Sequence, residues 1–219
     1  SPTIQKLHRY VKGNEFNLMN ALVIGGSRGI GEMVSKIIVA GGGKVCLTYF
    51  KGVDEANSIL KELKTLSKGN SILEFNILKQ KHIEKLKNKK NFNYVFYFAT
   101  PKIFGNETKE FDDKKYDNFH DFYCNKFKLI AENFISKGGK KIFYPSSIAV
   151  EEDNKGLEEY KLAKLEGEEI CSQINSQFNV NIIVERLPRI ETDQTLTLLS
   201  VPALNPYEVA IDIAKKMEG

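Results

Sequence analysis

The stretch Gly25-Gly26-Ser27-Arg28-Gly29-Ile30-Gly31 follows a short apolar run, 21–24, and opens a segment, 29–40, whose apolar residues recur at helical spacing. Glycines permit a tight turn between a strand and a helix, and they let the backbone approach a pyrophosphate. The helix N-terminus then offers free N–H groups and the positive end of its dipole to that anion. A glycine string is weak evidence by itself, but between the first strand and the first helix it predicts a dinucleotide site rather than a plain glycine turn.

Apolar runs alternate with amphipathic segments along the rest of the chain. The pattern predicts strands at 21–24, 45–49, 71–75, 94–98, 141–144 and 180–185. The main helices are expected at 29–40, 114–136, 157–177 and from Pro206 onward. This alternation predicts the α/β class: a doubly wound parallel sheet of about six strands, the Rossmann fold, with helices on both faces. We expect residues 1–19 to form an N-terminal arm or linker, and residues 20–219 to form one dinucleotide-binding and catalytic domain.

Length and composition are those of one globular domain: 219 residues, of which 42% are hydrophobic. No apolar run approaches the roughly 18 residues that span a bilayer. Residues 1–20 are polar and mixed in charge, unlike a signal peptide. We therefore expect a cytoplasmic protein that does not contact a membrane.

The net charge of +4 comes from many lysines in helix-like stretches such as 79–90. Aromatic residues do not interleave with these lysines, so the pattern favours a solvated helix face over a nucleic-acid surface. The three cysteines, Cys46, Cys124 and Cys171, are far apart and fit reduced thiols rather than a disulfide framework. No Cys/His group shows metal-ligand spacing along the chain, so we expect no structural zinc.

The end of the second strand indicates which dinucleotide binds. An NAD-selective site usually carries an acidic residue there, which accepts hydrogen bonds from the ribose hydroxyls. In this chain the strand ends Thr48-Tyr49-Phe50-Lys51, with no carboxylate before Asp54. Arg28, inside the glycine turn, could pair with a 2′-phosphate, and Lys51 could add a second positive charge. We therefore expect NADP(H), with Tyr49 and Lys51 lining its site; simple surface exposure is the alternative for each cation.

A tyrosine, a lysine and a serine form the candidate catalytic group. Tyr160 and Lys164 lie four residues apart on a predicted helix and therefore share one face. An ammonium near a phenol lowers its pKa, so that the tyrosine can exchange a proton near neutral pH. Ser147 follows the fifth strand, at the sheet edge where open α/β sheets bind ligands, and its hydroxyl could hold a substrate carbonyl.

With these motifs in order, the chain resembles the short-chain dehydrogenase/reductase family over about residues 20–216. The glycine turn, Ser147, Tyr160 and Lys164 all match in order and spacing. The resemblance implies roles for three more residues, which stand at positions that match functional positions of the family. Asn125 would hold a water that links the lysine to solvent, Asn76 would contact adenine, and Thr192 would contact the nicotinamide carboxamide.

Two segments depart from the family pattern. The family's Asn-Asn-Ala-Gly after the fourth strand reads Tyr97-Phe98-Ala99-Thr100, where only Ala99 is retained as a cofactor contact. The family's Pro-Gly after the sixth strand reads Pro188-Arg189, which leaves Pro188 at the cofactor. Arg189 then either meets an acidic substrate or faces water.

The resemblance implies an NADPH-dependent oxidoreductase that reduces the carbonyl of a small-molecule substrate to an alcohol. Tyr160 would give the proton, Lys164 would lower the tyrosine pKa and hold the nicotinamide ribose, and Ser147 would orient the carbonyl. The family normally adds one more strand after the position where this sequence stops. We therefore expect a ketoreductase module of a multi-domain enzyme that acts on acyl or polyketide-like substrates.

Two other functions are compatible with the same residues. A non-catalytic NADP(H)-binding sensor or scaffold would explain the altered segments at Ala99 and Pro188. A nucleotide-sugar epimerase or dehydratase shares the Tyr/Lys pair but usually needs a longer C-terminal region. Family resemblance also implies a homo-oligomer, in which the helices at 114–136 and 157–177 pack between two subunits.

Overall fold

A computed structural model of the chain describes residues 3–89, 92–103, 110–153, 155–188 and 205–219. Its sheet has six strands: β1 (Asn20–Ile24), β2 (Lys44–Tyr49), β3 (Ser71–Glu74), β4 (Tyr94–Tyr97), β5 (Lys141–Ser147) and β6 (Asn181–Leu187). The strands lie in the order β3-β2-β1-β4-β5-β6, and every neighbouring pair is parallel. The predicted doubly wound α/β fold is confirmed.

The helices connect the strands and cover both faces of the sheet. They are α1 (Ile4–Leu7), α2 (Gly29–Ala40), α3 (Val53–Lys64), α4 (Gln80–Lys87), α5 (Asp113–His120), α6 (Lys126–Ser136), α7 (Glu158–Gln177) and α8 (Pro206–Glu218). The single helix predicted at 114–136 is interrupted by a π-helical turn, Asp121–Asn125, between α5 and α6. Among the described residues, no helix combines the length and apolar character that crossing a bilayer requires.

Two apolar cores, one on each face of the sheet, explain why the sequences of the central strands are continuous hydrophobic runs. Val23 and Phe96 point into the core beneath α1, α2, α3 and α8. Leu22 and Val95, their neighbours in the chain, point into the core beneath α4, α5, α6 and α7. Because side chains alternate along a strand, a strand covered on both faces must be apolar at every position.

Residues 3–19, which the sequence predicts to be part of an arm or linker, pack onto the first of these cores. Ile4, Leu7 and Phe16 are fully buried in it. A Cβ at Gly41 would collide with the Phe16 ring, so the end of α2 approaches this segment closely. The described N-terminal residues therefore share a core with the sheet.

The strand order reverses between β1 and β4, since the chain first builds outward from β1 to β3 and then crosses to β4. In open α/β sheets the loops at such a point diverge and leave a crevice beyond the carboxyl ends of the strands, where ligands bind. The glycine turn after β1 and the segment after β4 meet at this crevice.

Candidate active site

The turn between β1 and α2 needs its glycines for steric reasons. Gly25 adopts a positive φ of 76°, and a Cβ there would lie 2.9 Å from the carbonyl carbon of Phe98. A Cβ at Gly31 would overlap the carbonyl oxygen of Gly25, so α2 can approach the turn only without a side chain at that position. Two hydrogen bonds from backbone N–H groups fix the turn on β2: Gly25 N–H donates to the Thr48 side chain (Oγ1, 2.9 Å), and Gly26 N–H donates to the Thr48 carbonyl oxygen (3.1 Å).

The N-terminus of α2 opens toward the crevice. Its N-cap is Arg28, whose side chain makes no capping hydrogen bond. Gly29 and Ile30 are half-buried and form the first turn of α2. Ser27, just before Arg28, is buried. An uncapped helix N-terminus beside a glycine turn suits an anion such as a pyrophosphate.

The Arg28 side chain extends from the turn to the loop after β2. Its Nη2 atom lies 2.9 Å from the point where a Cβ on Gly52 would stand, and the Glu55 Oε2 atom lies 2.6 Å from the same point. Glu55, in the first turn of α3, thus places a carboxylate beside the expected 2′-phosphate position. Glu55 was not among the residues that the sequence indicated, since it lies beyond the strand end and reaches Arg28 only in the folded chain. Lys51, which is exposed, lies over the Phe50 ring at 5.7 Å.

The other predicted cofactor contacts lie at the carboxyl ends of their strands. Tyr49 is half-buried and ends β2. Asn76 follows β3; its side-chain oxygen accepts from Leu78 N–H (3.0 Å). The Ala99 backbone N lies 3.1 Å from the Cβ position of Gly25, directly against the glycine turn. Pro188 follows β6 and is half-buried, whereas Arg189 and Thr192 lie outside the described residues.

Ser147 and Tyr160 are brought together at this edge. Ser147 is the last residue of β5, which runs three residues beyond its predicted end, and Tyr160 lies in the first turn of α7. The Ser147 hydroxyl accepts from Ala149 N–H (3.2 Å) and lies near the Tyr160 phenol. Burial raises the pKa of the Tyr160 phenol above its ordinary value, and the nearby Ser147 hydroxyl offsets part of that rise.

Lys164 is directed into the protein interior, which differs from the arrangement that the sequence predicts. Its Nζ atom donates to the carbonyl oxygen of Pro145 (2.6 Å). It lies 3.8 Å from the centroid of the Tyr123 ring but 6.0 Å from that of Tyr160. Burial lowers the pKa of the Lys164 ammonium to about 7, although the neighbouring thiols and a carboxylate act in the opposite direction. The predicted lowering of the tyrosine pKa by this ammonium is therefore not what the structure shows.

Asn125 lies apart from Lys164. It is exposed at the end of the π-helical turn, and its amide donates to Asp121 Oδ1 (3.3 Å). Tyr123 and Cys124 occupy the buried side of this turn, whereas Asn125 faces solvent. The role expected of Asn125, to hold a water that links Lys164 to solvent, stays a prediction.

The residue beside Lys164 is instead Tyr123, which sequence reasoning did not select. Its ring is fully buried and packs edge-on against Tyr160, with ring centroids 5.8 Å apart. Its hydroxyl is hydrogen-bonded to Thr100 Oγ1, in the segment after β4. The available signal was the helical spacing of Phe119 and Tyr123, whose rings stack at 5.9 Å.

Solved structures with a similar fold are short-chain dehydrogenases/reductases. A short chain dehydrogenase from Salmonella enterica serovar Typhi superposes with a TM-score of 0.82 at 12% sequence identity, over 95% of this chain and 93% of that chain. A short chain dehydrogenase from Burkholderia cenocepacia in complex with NADP gives 0.76 at 16% identity, over 89% and 88%. An alcohol dehydrogenase from Thermococcus sibiricus complexed with 5-hydroxy-NADP gives 0.78 at 17% identity, over 90% and 88%. At these identities the similarity establishes the shared fold.

The sequence matches no protein-family model. It also matches no curated protein.

Proposed function

We propose that this chain is an NADP(H)-dependent oxidoreductase of the short-chain dehydrogenase/reductase family, which reduces a substrate carbonyl to an alcohol with Tyr160 as the proton donor. The observation that carries the proposal is that Ser147 and Tyr160 lie near each other at the same sheet edge as the glycine turn. The two residues come from different elements, β5 and α7, and meet where open α/β sheets bind ligands.

The residues at the crevice fit a phosphorylated dinucleotide. The turn leaves no room for a side chain at Gly25, Gly26 or Gly31 and presents an uncapped helix N-terminus, as a pyrophosphate requires. Arg28 supplies a guanidinium at the loop after β2, where a 2′-phosphate would lie. The nicotinamide, when bound, supplies the hydride.

The pKa of Tyr160 indicates the direction of proton transfer. Because burial raises that pKa, the phenol holds its proton at neutral pH and suits a proton donor. Ser147 would orient the substrate carbonyl against the phenol. Lys164 would hold the nicotinamide ribose only if its ammonium left the carbonyl oxygen of Pro145.

A second candidate function is a non-catalytic NADP(H)-binding sensor or scaffold. Two observations favour it: Asn125 faces solvent, and Lys164 is bound inside the protein. Both residues would serve proton transfer in the reductase, and a protein that only binds the dinucleotide does not need that proton transfer.

The substrate class and the assembly belong to the same proposal. We infer a ketone or acyl thioester substrate, as for a ketoreductase module, and a cytoplasmic location. A homo-oligomer would use α6 and α7, on which Leu129, Leu162 and Leu165 are exposed.

The test combines binding with turnover. Thermal shift with NADPH, NADP, NADH and NAD should show stabilisation that is largest for the phosphorylated pair, because a ligand that binds only the folded state raises its stability. NADPH oxidation is then followed with a panel of ketones and acyl thioesters. Tyr160→Phe should keep the thermal shift and lose about 10²- to 10⁴-fold in rate.

Tyr10→Phe, at a half-buried tyrosine of the N-terminal segment, is the matched control and should keep full activity. A thermal shift without turnover on any substrate supports the sensor instead. Absence of any nucleotide effect would overturn both candidates.

A further inference from the structure

A second group of reactive side chains lies between α5 and α7. His120 ends α5, Cys124 lies in the π-helical turn, and Glu166 is on α7. Each offers one ligand atom, and the three atoms lie within 4.8 Å of one another. The closest measured approach joins His120 Nε2 and Glu166 Oε2 at 3.5 Å. The linear sequence conceals this group, because Glu166 comes from a helix some forty residues after the other two.

The three donor atoms indicate which metal ions the group would bind. An imidazole nitrogen, a thiolate sulfur and a carboxylate oxygen are the three ligand types of protein-bound zinc, whereas magnesium and calcium prefer oxygen alone. Zinc–ligand bonds of about 2.0–2.3 Å place neighbouring donors of a tetrahedron roughly 3.3–3.8 Å apart. The 3.5 Å between His120 and Glu166 already satisfies that spacing.

Tyr116 orients two of the three groups. Its hydroxyl donates to Glu166 Oε2 (2.6 Å), and its ring lies 5.6 Å from the His120 ring. A partner that fixes a ligand in this way is the usual second layer of a metal site.

The three ligands differ in their exposure to solvent. The side chains of His120 and Glu166 are 32% and 39% exposed, which gives an ion a path from solvent. Cys124 is fully buried, and its thiol donates to the carbonyl oxygen of Ala163 (3.4 Å). A bound cation would displace the thiol proton to solvent and replace this weak hydrogen bond. π-helical turns of this kind occur frequently at functional sites.

We propose that His120, Cys124 and Glu166 bind one zinc-type divalent cation, with water as the fourth ligand. The ion would join the π-helical turn to α7, the helix that also carries Tyr160 and Lys164. The proposal does not depend on reductase activity.

Cobalt(II) alone, and then zinc(II), are the probes for the full chain after treatment with EDTA and desalting. We expect one cobalt per chain, with a near-ultraviolet thiolate-to-cobalt charge-transfer band that zinc displaces. Cys124→Ser should abolish the band. His120→Gln and Glu166→Gln should each weaken zinc binding by more than tenfold, and Tyr116→Phe by about tenfold.

Cys46→Ser is the matched control, since Cys46 is a buried thiol in β2. It should keep both the band and the affinity. Because Cys124→Ser alters a buried position, circular dichroism and melting curves check its fold, and the partly exposed His120 and Glu166 variants test the site independently. Absence of binding at one ion per chain, or a band that survives Cys124→Ser or disappears in Cys46→Ser, would overturn the proposal.

Discussion

The ammonium of Lys164 lies 3.8 Å from the centroid of the Tyr123 ring, inside the protein. The ammonium donates a hydrogen bond to the carbonyl oxygen of Pro145 (2.6 Å), and the centroid of the Tyr144 ring lies 5.2 Å away. A carbonyl and aromatic faces thus take the place of water around a buried cation. Such contacts recover only part of the hydration that a lysine loses, which is why burial lowers its pKa to about 7.

Lys164→Met should make the protein more stable and inactive. Methionine matches the length of the lysine stem and fills the same space without a charge to desolvate. Replacement of buried charges by apolar residues is often stabilising by about 1–4 kcal/mol, and we expect a gain in that range. Urea denaturation of the two proteins measures it, while NADPH oxidation reports the loss of function.

Lys128→Met is the control for Lys164→Met, because Lys128 is an exposed lysine on α6. Its free energy of unfolding should stay within about 0.5 kcal/mol of the unmodified protein. A clear loss of stability in Lys164→Met would show that the buried ammonium stabilises the fold.

The contact between Tyr123 and Lys164 can be measured by a double-mutant cycle. Tyr123→Phe keeps the ring and removes the hydrogen bond to Thr100, so it should cost about 1 kcal/mol. Tyr123→Leu also removes the aromatic face and should cost about 2–4 kcal/mol.

In the Lys164→Met background, the cost of Tyr123→Leu should fall by about 1–2 kcal/mol, the coupling expected of a desolvated cation–π pair. Equal costs in both backgrounds would mean that the ring only fills space. Chemical denaturation of the unmodified protein, Tyr123→Leu, Lys164→Met and the double variant measures the free energy of unfolding of each.

Features that depend on residues close together in the chain could be predicted from the sequence. The strands of the central sheet were predictable because burial on both faces leaves them no polar position, as at 21–24 and 94–98. The glycine turn was predictable because its steric demands come from adjacent backbone, and the structure shows the overlap that Gly31 avoids.

Features set by several distant elements could not be predicted. The direction of Lys164 follows from Tyr123 and Tyr144, which reach it from a different helix and a different strand. Asn125 was selected by position along a helix, and the π-helical turn at 121–125 has no recognised local signal. Glu55 was missed because only the fold brings the first turn of α3 beside Arg28.

Gly31→Ala tests the tight approach of α2 to the turn. Alanine favours a helix over glycine by about 1 kcal/mol, but here its Cβ would overlap the carbonyl oxygen of Gly25, which is backbone and cannot rotate away. We expect the overlap to prevail, with a net loss of about 1–3 kcal/mol in the free energy of unfolding and weaker nucleotide binding. Gly69→Ala is the control, because its Cβ would meet only the flexible Lys44 side chain. A stabilised Gly31→Ala protein would contradict this account of the turn.

Arg28 and Glu55 should have opposite effects on cofactor choice, because their charged ends lie against the same glycine, Gly52. Arg28→Ala should weaken NADPH binding by about 10- to 100-fold, as loss of a charge-assisted hydrogen bond predicts, and should leave NADH nearly unchanged. Glu55→Gln removes a carboxylate that would repel a 2′-phosphate and should strengthen NADPH binding. Lys51→Ala is the control for a merely exposed cation and should change either affinity less than twofold. Titration calorimetry with both nucleotides separates the cases. If Glu55→Gln weakened NADH and left NADPH unaffected, the carboxylate would be a ribose acceptor and the site would belong to NAD.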